Sequence, residues 1–372
     1  MEFAGISRIL SAVLYLQYAV GWIGPLAIER AAAKAVLDVR HGPPHNFIQP
    51  RHDDLTYSCV HVVLSRSENT TSLSLPSKPE YGASSMLSTF SGIRSGLLVG
   101  IGGAIPRLDG PDIRLGDIVV SEPGGSNGGV IQHGLVKLGQ DGQRERRDFL
   151  NAPPDALLFA FSSLKAHHEM KPSRVPTILQ EMEQRYPYMF QTRPGAPGYR
   201  LRGLENDRLF DKEYAHRAGT GCVNCMSDGE IYREPRVTRD PVIHCGTIAS
   251  GNTLVKDTRP RKELLQHLSD KCLCYEIEAA GMINNFPCLI IRGISDYCDS
   301  HNNDRWQRSA AATAAAFGKE LLEVVRRKEV ERQNLLMDGV KLAFTEKRRD
   351  VVAEQYMSVW TDAARILPSS GI

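Results

Sequence analysis

Four short stretches carry residue types that could do chemistry. Leu289-Ile-Ile-Arg-Gly-Ile-Ser-Asp296 is an apolar run that ends in a hydroxyl and a carboxylic acid. An Asp at the end of a buried strand is either a helix N-cap or an acid poised in the crevice where open α/β sheets bind ligands. Tyr275-Glu-Ile-Glu-Ala-Ala-Gly281 embeds Glu276 and Glu278 in apolar surroundings, where a carboxylate is rarely buried without a partner. If the chain is extended through 278, both carboxylates share a face; if a helix has begun, they diverge and serve the helix dipole instead. Gly100-Ile-Gly-Gly-Ala104 follows an apolar run, so it is either a plain turn or a place where backbone amides approach a ligand closely. It is neither a dinucleotide fingerprint, because Ile105 takes the place of the third glycine, nor a phosphate loop, which ends in Gly-Lys-Ser/Thr. Gly246-Thr-Ile-Ala-Ser-Gly-Asn252 is a second strand-to-turn junction, equally a turn or a pocket wall.

A separate group is His216, Cys222 and Cys225. The Cys-x2-Cys spacing suits zinc, and a four-ligand site needs one more donor, for which His167 and His168 are candidates. Ordinary loop thiols are the alternative.

These stretches need elements to hold them. Residues 20–24, 57–64, 97–101, 113–120, 242–249 and 289–294 read as strands, and residues 26–37 and the alanine-rich 308–326 as helices. Strands alternating with helices predict an α/β fold rather than an all-β or all-α one. Residues 165–240 break the rhythm with Lys, Arg, Pro, Gly and Tyr, and read as an irregular insertion. Residues 1–17 read as a poorly ordered leader and 326–372 as a charged helical tail or linker.

The chain has 372 residues with 45 Lys and Arg against 43 Asp and Glu, a net charge of +2. That balance provides no field for recruiting nucleic acid or an acidic membrane. With 42% hydrophobic residues the chain can bury a full core. Residues 9–28 are largely apolar, which admits a signal peptide, but a leader followed by a buried strand is the preferred reading, and no other stretch approaches a membrane span. Eight cysteines, most in apolar runs, predict buried thiols and a cytoplasmic location.

In order, VGIGGAIP, DIRLGDIVVS, GTIASGN, EIEAAG and IRGISD resemble the nucleoside phosphorylase/nucleosidase superfamily over residues 18–325. The likeness is greatest to the nucleoside-phosphorylase-like domains of fungal receptor-like proteins. It implies a mixed central sheet, partly closed and surrounded by helices, and cleavage of the N-glycosidic bond of a purine-type nucleoside. A cationic sugar and an anionic leaving base then require an acid at the base, a carboxylate at the ribose and a placed nucleophile. The resemblance assigns Asp296 as the acid, kept protonated by apolar surroundings, with Ser295 steadying its loop. It assigns Glu278 to the ribose hydroxyls, Ile277 to the sugar or base face, Leu254 and Val255 to the wall of the base pocket, and Gly100, Gly102 and Gly103 to the ligand-facing turn. Glu29, in GPLAIER, falls on the residue that nucleosidases use to activate water.

Phosphorylases of this family carry Arg-x-Gly-Ser/Thr at the glycine turn; here it is Leu98-Val-Gly-Ile101, without either phosphate ligand. A buried dianion without a charged partner is costly, which favours water over inorganic phosphate, although Arg94 could restore a phosphate site. No cofactor or metal is needed for the chemistry, and a homo-oligomer is compatible with the family. The sequence also departs from the pattern. The segment after Gly82 looks two helical turns short, which puts a helix in doubt and raises a catalytically weak nucleoside-sensing module as the alternative, and Asn252 stands where nucleosidases often have Asp.

Overall fold

In the computed structural model, residues 20–325 are described apart from 38, 42–57, 65–66, 75–78, 91–92, 94, 108–109, 126, 133–135, 139–143, 147–149, 212–213, 215, 217–220, 252–271 and 302–303. The expected leader and charged tail therefore lie outside the described residues. No described helix is long and apolar enough to cross a membrane.

The organising strand is β5 (Ser95–Ala104), whose run Leu97-Leu-Val99 is buried on both faces. Such a run suits a strand covered on both sides. On one side β5 pairs in parallel with β12 (Cys288–Asp296), which pairs antiparallel with β6 (Ile118–Ser121). Parallel pairings then lead to β10 (Ile243–Ser250) and to β11 (Cys272–Glu276). β11 returns to β5 antiparallel, through Cys274↔Ala104 and Tyr275↔Gly103, so the five strands close into a ring. On the other side an arm runs from β5 through β1 (Val20–Ile23) and β4 (Ser67–Ser74) to β3 (Ser58–Leu64) and β2 (Val39–His41). A short β7 (Val130–Gln132) adds to β10, and β8 (Val136–Leu138) pairs with β9 (Arg144–Arg146) as a separate hairpin. This is the mixed, partly closed α/β sheet that the resemblance implies.

Helices cover the sheet. α1 (Ala27–Val36) buries Ala32, Ala33, Ala35 and Val36 and packs on α7 (Gln307–Leu322), which also covers β5 and β12. α7 is buried almost all round, and its small side chains allow it to lie close to the strands. α2 (Pro79–Thr89) supplies Met86 to a core shared with Phe90, Phe286, Leu98 and Ile290. An eleven-residue helix thus forms where the sequence left one in doubt.

Two further expectations are corrected. Residues 113–117 are not strand: they form a turn at Gly116 (φ +90°, which favours glycine), and β6 begins only at Ile118. The segment 165–240 opens with helix, not irregular chain. α3 (Asp155–His168) runs into it, and α4 (Val175–Arg185) and α5 (Pro187–Phe190) follow. α4 buries Val175, Ile178, Leu179 and Met182, the i, i+3, i+4, i+7 stripe of an amphipathic helix. It packs on α1 and α7, and the Tyr199 hydroxyl donates to the Ile28 carbonyl at 3.1 Å.

Asp117 anchors the return of this segment to the ring. It is 2% exposed and accepts from the Arg114 and Val242 amides (2.8 and 3.0 Å) and from both Nη atoms of Arg236 (2.7 Å each). His244 Nε2 lies 3.0 Å from it. Burial opposes ionisation, but the bonds from His244 and Arg236 prevail and hold the carboxyl below its ordinary pKa. Replacing Asp117 with Ala takes the nearest carboxylate from the half-buried Arg236, which keeps Asp112, and strands two amides. Denaturant unfolding should show a loss of about 3–5 kcal/mol, and a loss below about 1 kcal/mol would refute the anchoring role.

Candidate active site

The site is built round a buried arginine. Arg292 stands in mid-β12 opposite Gly100 of β5 and is wholly shielded from solvent. Its side chain passes over β5, with Nη1 3.4 Å from the Ile101 carbonyl. Nη2 bonds Glu276 and lies 3.0 Å from Glu278 Oε2. Only glycine permits this passage, because a Cβ at Gly100 would collide with Arg292 Nη1 and with Glu29 Oε1.

Glu29 enters from the first turn of α1. Its Oε1 accepts the Ile101 amide at 2.8 Å and its Oε2 the Leu26 amide at 2.7 Å. Glu276 ends β11 and accepts the amides of Glu278 (3.0 Å) and Ala279 (3.1 and 3.2 Å), capping the short α6 (Ala279–Met282). The chain is therefore extended at Glu276 and has turned by Glu278, yet both carboxylates reach the same guanidinium. Glu276 is the structural one; Glu278 keeps 15% of its side chain exposed.

Two carboxylates thus bond one guanidinium, and a third, Glu29, feels its charge. Burial pushes the Glu278 carboxyl up to about 8, with the charges of Glu276 and Glu29 adding to the effect and Arg292 opposing it. Burial also raises Glu29, against Arg292 and its two amide bonds. The carboxylates overcome the burial of Arg292 and hold its pKa above the ordinary value. The cluster consequently keeps a proton near neutral pH, which is the condition for acid–base work there.

Asp296 is placed by a bulge. The β12–β5 register slips between Ile294 and Asp296, which brings Asp296 opposite Gly103. Gly103 has the opposite parity to Gly100 and Gly102, so the bulge turns Asp296 away from the face that carries Arg292. The Ser295 hydroxyl donates to its Oδ2 at 2.8 Å and the Cys298 amide to its Oδ1 at 2.9 Å. Cys298 sits in the left-handed region (φ 52°) to make that turn. Tyr297 is held from the inserted segment: its hydroxyl donates to Asp207 at 2.5 Å, and Arg233 bonds both.

Ser295 and Asp296 line a cavity of about 160 Å³ together with Arg202, Arg208, Arg305 and His301. Glu29 and Glu278 are not among the described residues that line it. The two regions meet at Cys274. Its thiol touches the position a Cβ on Gly102 would take, and it feels the charges of Arg292, Glu276, Asp296 and Glu278. Ile277 is 37% exposed beside Glu278. Leu254, Val255, Asn252 and Arg94 lie outside the described residues. His216, Cys222 and Cys225 come together, with ligand atoms all within 4.8 Å of one another. His168 instead meets Glu320 at 3.0 Å.

Two relatives match parts of the chain. Over 318 residues the chain is 37% identical to a nucleotide-binding leucine-rich repeat (NLR)-like protein of Hyaloscypha variabilis, covering 83% of this chain and 29% of that protein. It thus spans less than a third of that relative. Over 87 residues it is 34% identical to the ATP nucleosidase Cap17 of Escherichia coli, 22% of this chain and 17% of that one. Among solved structures, the 5′-methylthioadenosine/S-adenosylhomocysteine nucleosidase of Neisseria meningitidis overlaps 82% of this chain and 98% of its own, at 15% identity and a TM-score of 0.46. The futalosine hydrolase of Helicobacter pylori overlaps 82% and 97%, at 15% identity and a TM-score of 0.45. No protein-family profile matches the chain.

The raised Glu278 makes a stability prediction. Unfolded, this carboxyl ionises near 4.5; folded, near 8. Between those values the native state holds the extra proton, so stability falls as pH rises through the window. Glu278→Gln should flatten the decline in thermal midpoint between about pH 5 and about pH 8, and an unchanged slope would show that Glu278 is not the group responsible.

Proposed function

We propose that this domain cleaves the N-glycosidic bond of a purine-type nucleoside or nucleotide with water. The carrying observation is Glu29, fixed by the Ile101 amide against the glycine-rich end of β5, a strand where the sequence suggested a turn, at the place where a phosphorylase would hold its phosphate. Arg292, the cation beside it, is engaged by Glu276 and Glu278, so an incoming dianion would meet carboxylates rather than a vacant guanidinium.

In this reading Glu29 takes a proton from water as the oxygen bonds to the sugar C1′. The C1′–N bond breaks, its electron pair passes to the base, and Asp296 delivers a proton there. The raised pKa of Glu29 suits a base working near neutrality. Glu278 accepts from the ribose hydroxyls, and Ile277 supplies apolar cover. No metal or redox group enters the chemistry, and the compartment proposed is the cytoplasm, on the strength of the thiol-rich sequence.

A phosphorylated substrate is favoured by the Asp296 cavity. Arg202 and Arg305 both line it, and burial together with the Arg305 charge lowers the Arg202 pKa. Glu205, Asp296 and Asp299 line the same cavity, so a phosphate would have to seat on the arginine side, away from those carboxylates. The relative named as an ATP nucleosidase fits such a substrate.

The test is base release by chromatography on matched nucleosides and nucleoside 5′-phosphates, with and without inorganic phosphate. Base should appear without phosphate, and release that requires phosphate would overturn the hydrolytic assignment. Asp296→Asn and Glu29→Gln should each lower kcat by about 10²–10⁴-fold, and turnover unchanged in either would sink the mechanism. Arg202→Ala should raise KM for the nucleotide and leave the nucleoside unaffected.

A further inference from the structure

The inserted segment and the loop after Asp296 converge on a set of soft and imidazole donors that the proposed reaction does not use. The Sγ atoms of Cys222 and Cys225 and a ring nitrogen of His216 all lie within 4.8 Å of one another. A tetrahedral zinc site with Zn–S near 2.3 Å places its sulfurs about 3.8 Å apart, so only a small inward adjustment is needed. The two cysteines sit on a tight turn closed by the Cys225 amide donating to the Cys222 carbonyl at 3.2 Å. Arg208 braces that turn, donating to the carbonyls of Cys222 (2.5 Å) and Cys225 (2.9 Å).

A second imidazole makes ring contact with His216. His301 follows Asp296 by five residues, is 7% exposed, and has a buried Nε2. Its ring meets that of His216 edge to face, with centroids 5.3 Å apart, and its carbonyl lies 3.7 Å from Cys222 Sγ. The ring is oriented before any ion arrives. It stacks on Phe210 at 4.1 Å, and its amide donates to Asp299 Oδ1 at 2.9 Å, with the same carboxylate 3.9 Å from Nδ1. A small approach of that carboxylate to Nδ1 would make the outer-sphere contact that many zinc-bound histidines carry.

We propose that His216, Cys222, Cys225 and His301 bind one Zn²⁺ ion, which fastens the inserted segment to the loop that carries Asp296. Two thiolates and two imidazoles in a closed set match a structural zinc site rather than a catalytic one, which would keep a position for water. Binding displaces the two thiol protons to solvent and changes no oxidation state.

The full chain, purified without chelator, should carry about one zinc per molecule by elemental analysis. Zinc only at trace level, with none taken up from added zinc, would overturn the site. In chain stripped of zinc, added Co²⁺ should give the intense visible bands of a tetrahedral sulfur-ligated ion together with thiolate-to-cobalt charge transfer. Weak octahedral bands without charge transfer would exclude the cysteines. The cobalt spectrum of His301→Ala should lose its tetrahedral intensity, and an unchanged spectrum would remove His301 from the ligand set. Since a cysteine variant may not fold, the wild-type chain gives a second reading. Added zinc should protect two thiols from alkylation, and equal labelling with and without zinc would count against the site.

Discussion

A guanidinium buried among three carboxylates is the constraint on which the site depends. Arg292 cannot be shielded from water without partners, and Glu276, Glu278 and Glu29 supply them from β11, the start of α6 and α1. Those elements are therefore tied electrostatically to the centre of the ring. The excess of carboxylates over cations then keeps a proton in the cluster. Structural pairing and proton storage are two results of one charge imbalance.

The inserted segment is part of the site rather than an appendage. Asp207 and Arg233 hold Tyr297, the residue after Asp296, while Arg236 meets Asp117 at the base of β6. The segment begins by packing α4 on α1, the helix that presents Glu29. Glu29 and Asp296 are accordingly both braced by chain from between β9 and β10.

Much of this was legible before any coordinates. The strands at the glycine-rich run and at IRGISD and the first and last described long helices follow from apolar runs and periodicity, while the closed mixed sheet was what the family resemblance implied. What escaped was of two kinds. Arg292 lies in an apolar run, where a charge needs a carboxylate, and two lie in EIE, but spacing in the sequence does not show that they meet. The stripe Val175, Ile178, Leu179, Met182 was hidden by the Pro and Lys around it. The bulge before Asp296 left no mark in composition, because an extra residue in a strand is decided by pairing with its neighbour. Alternation alone would have turned Asp296 toward Glu278.

The ring closes through a short seam, Cys274 with Ala104 and Tyr275 with Gly103. Every other junction in the circle is longer, as in the eight paired positions joining β5 to β12. The narrowest stitch thus runs beside Gly102 and Gly103, between the carboxylate cluster and Asp296. Any molecule that bridges those two regions spans the stitch and acts as a rivet across it, so occupancy and closure of the barrel share a single free energy.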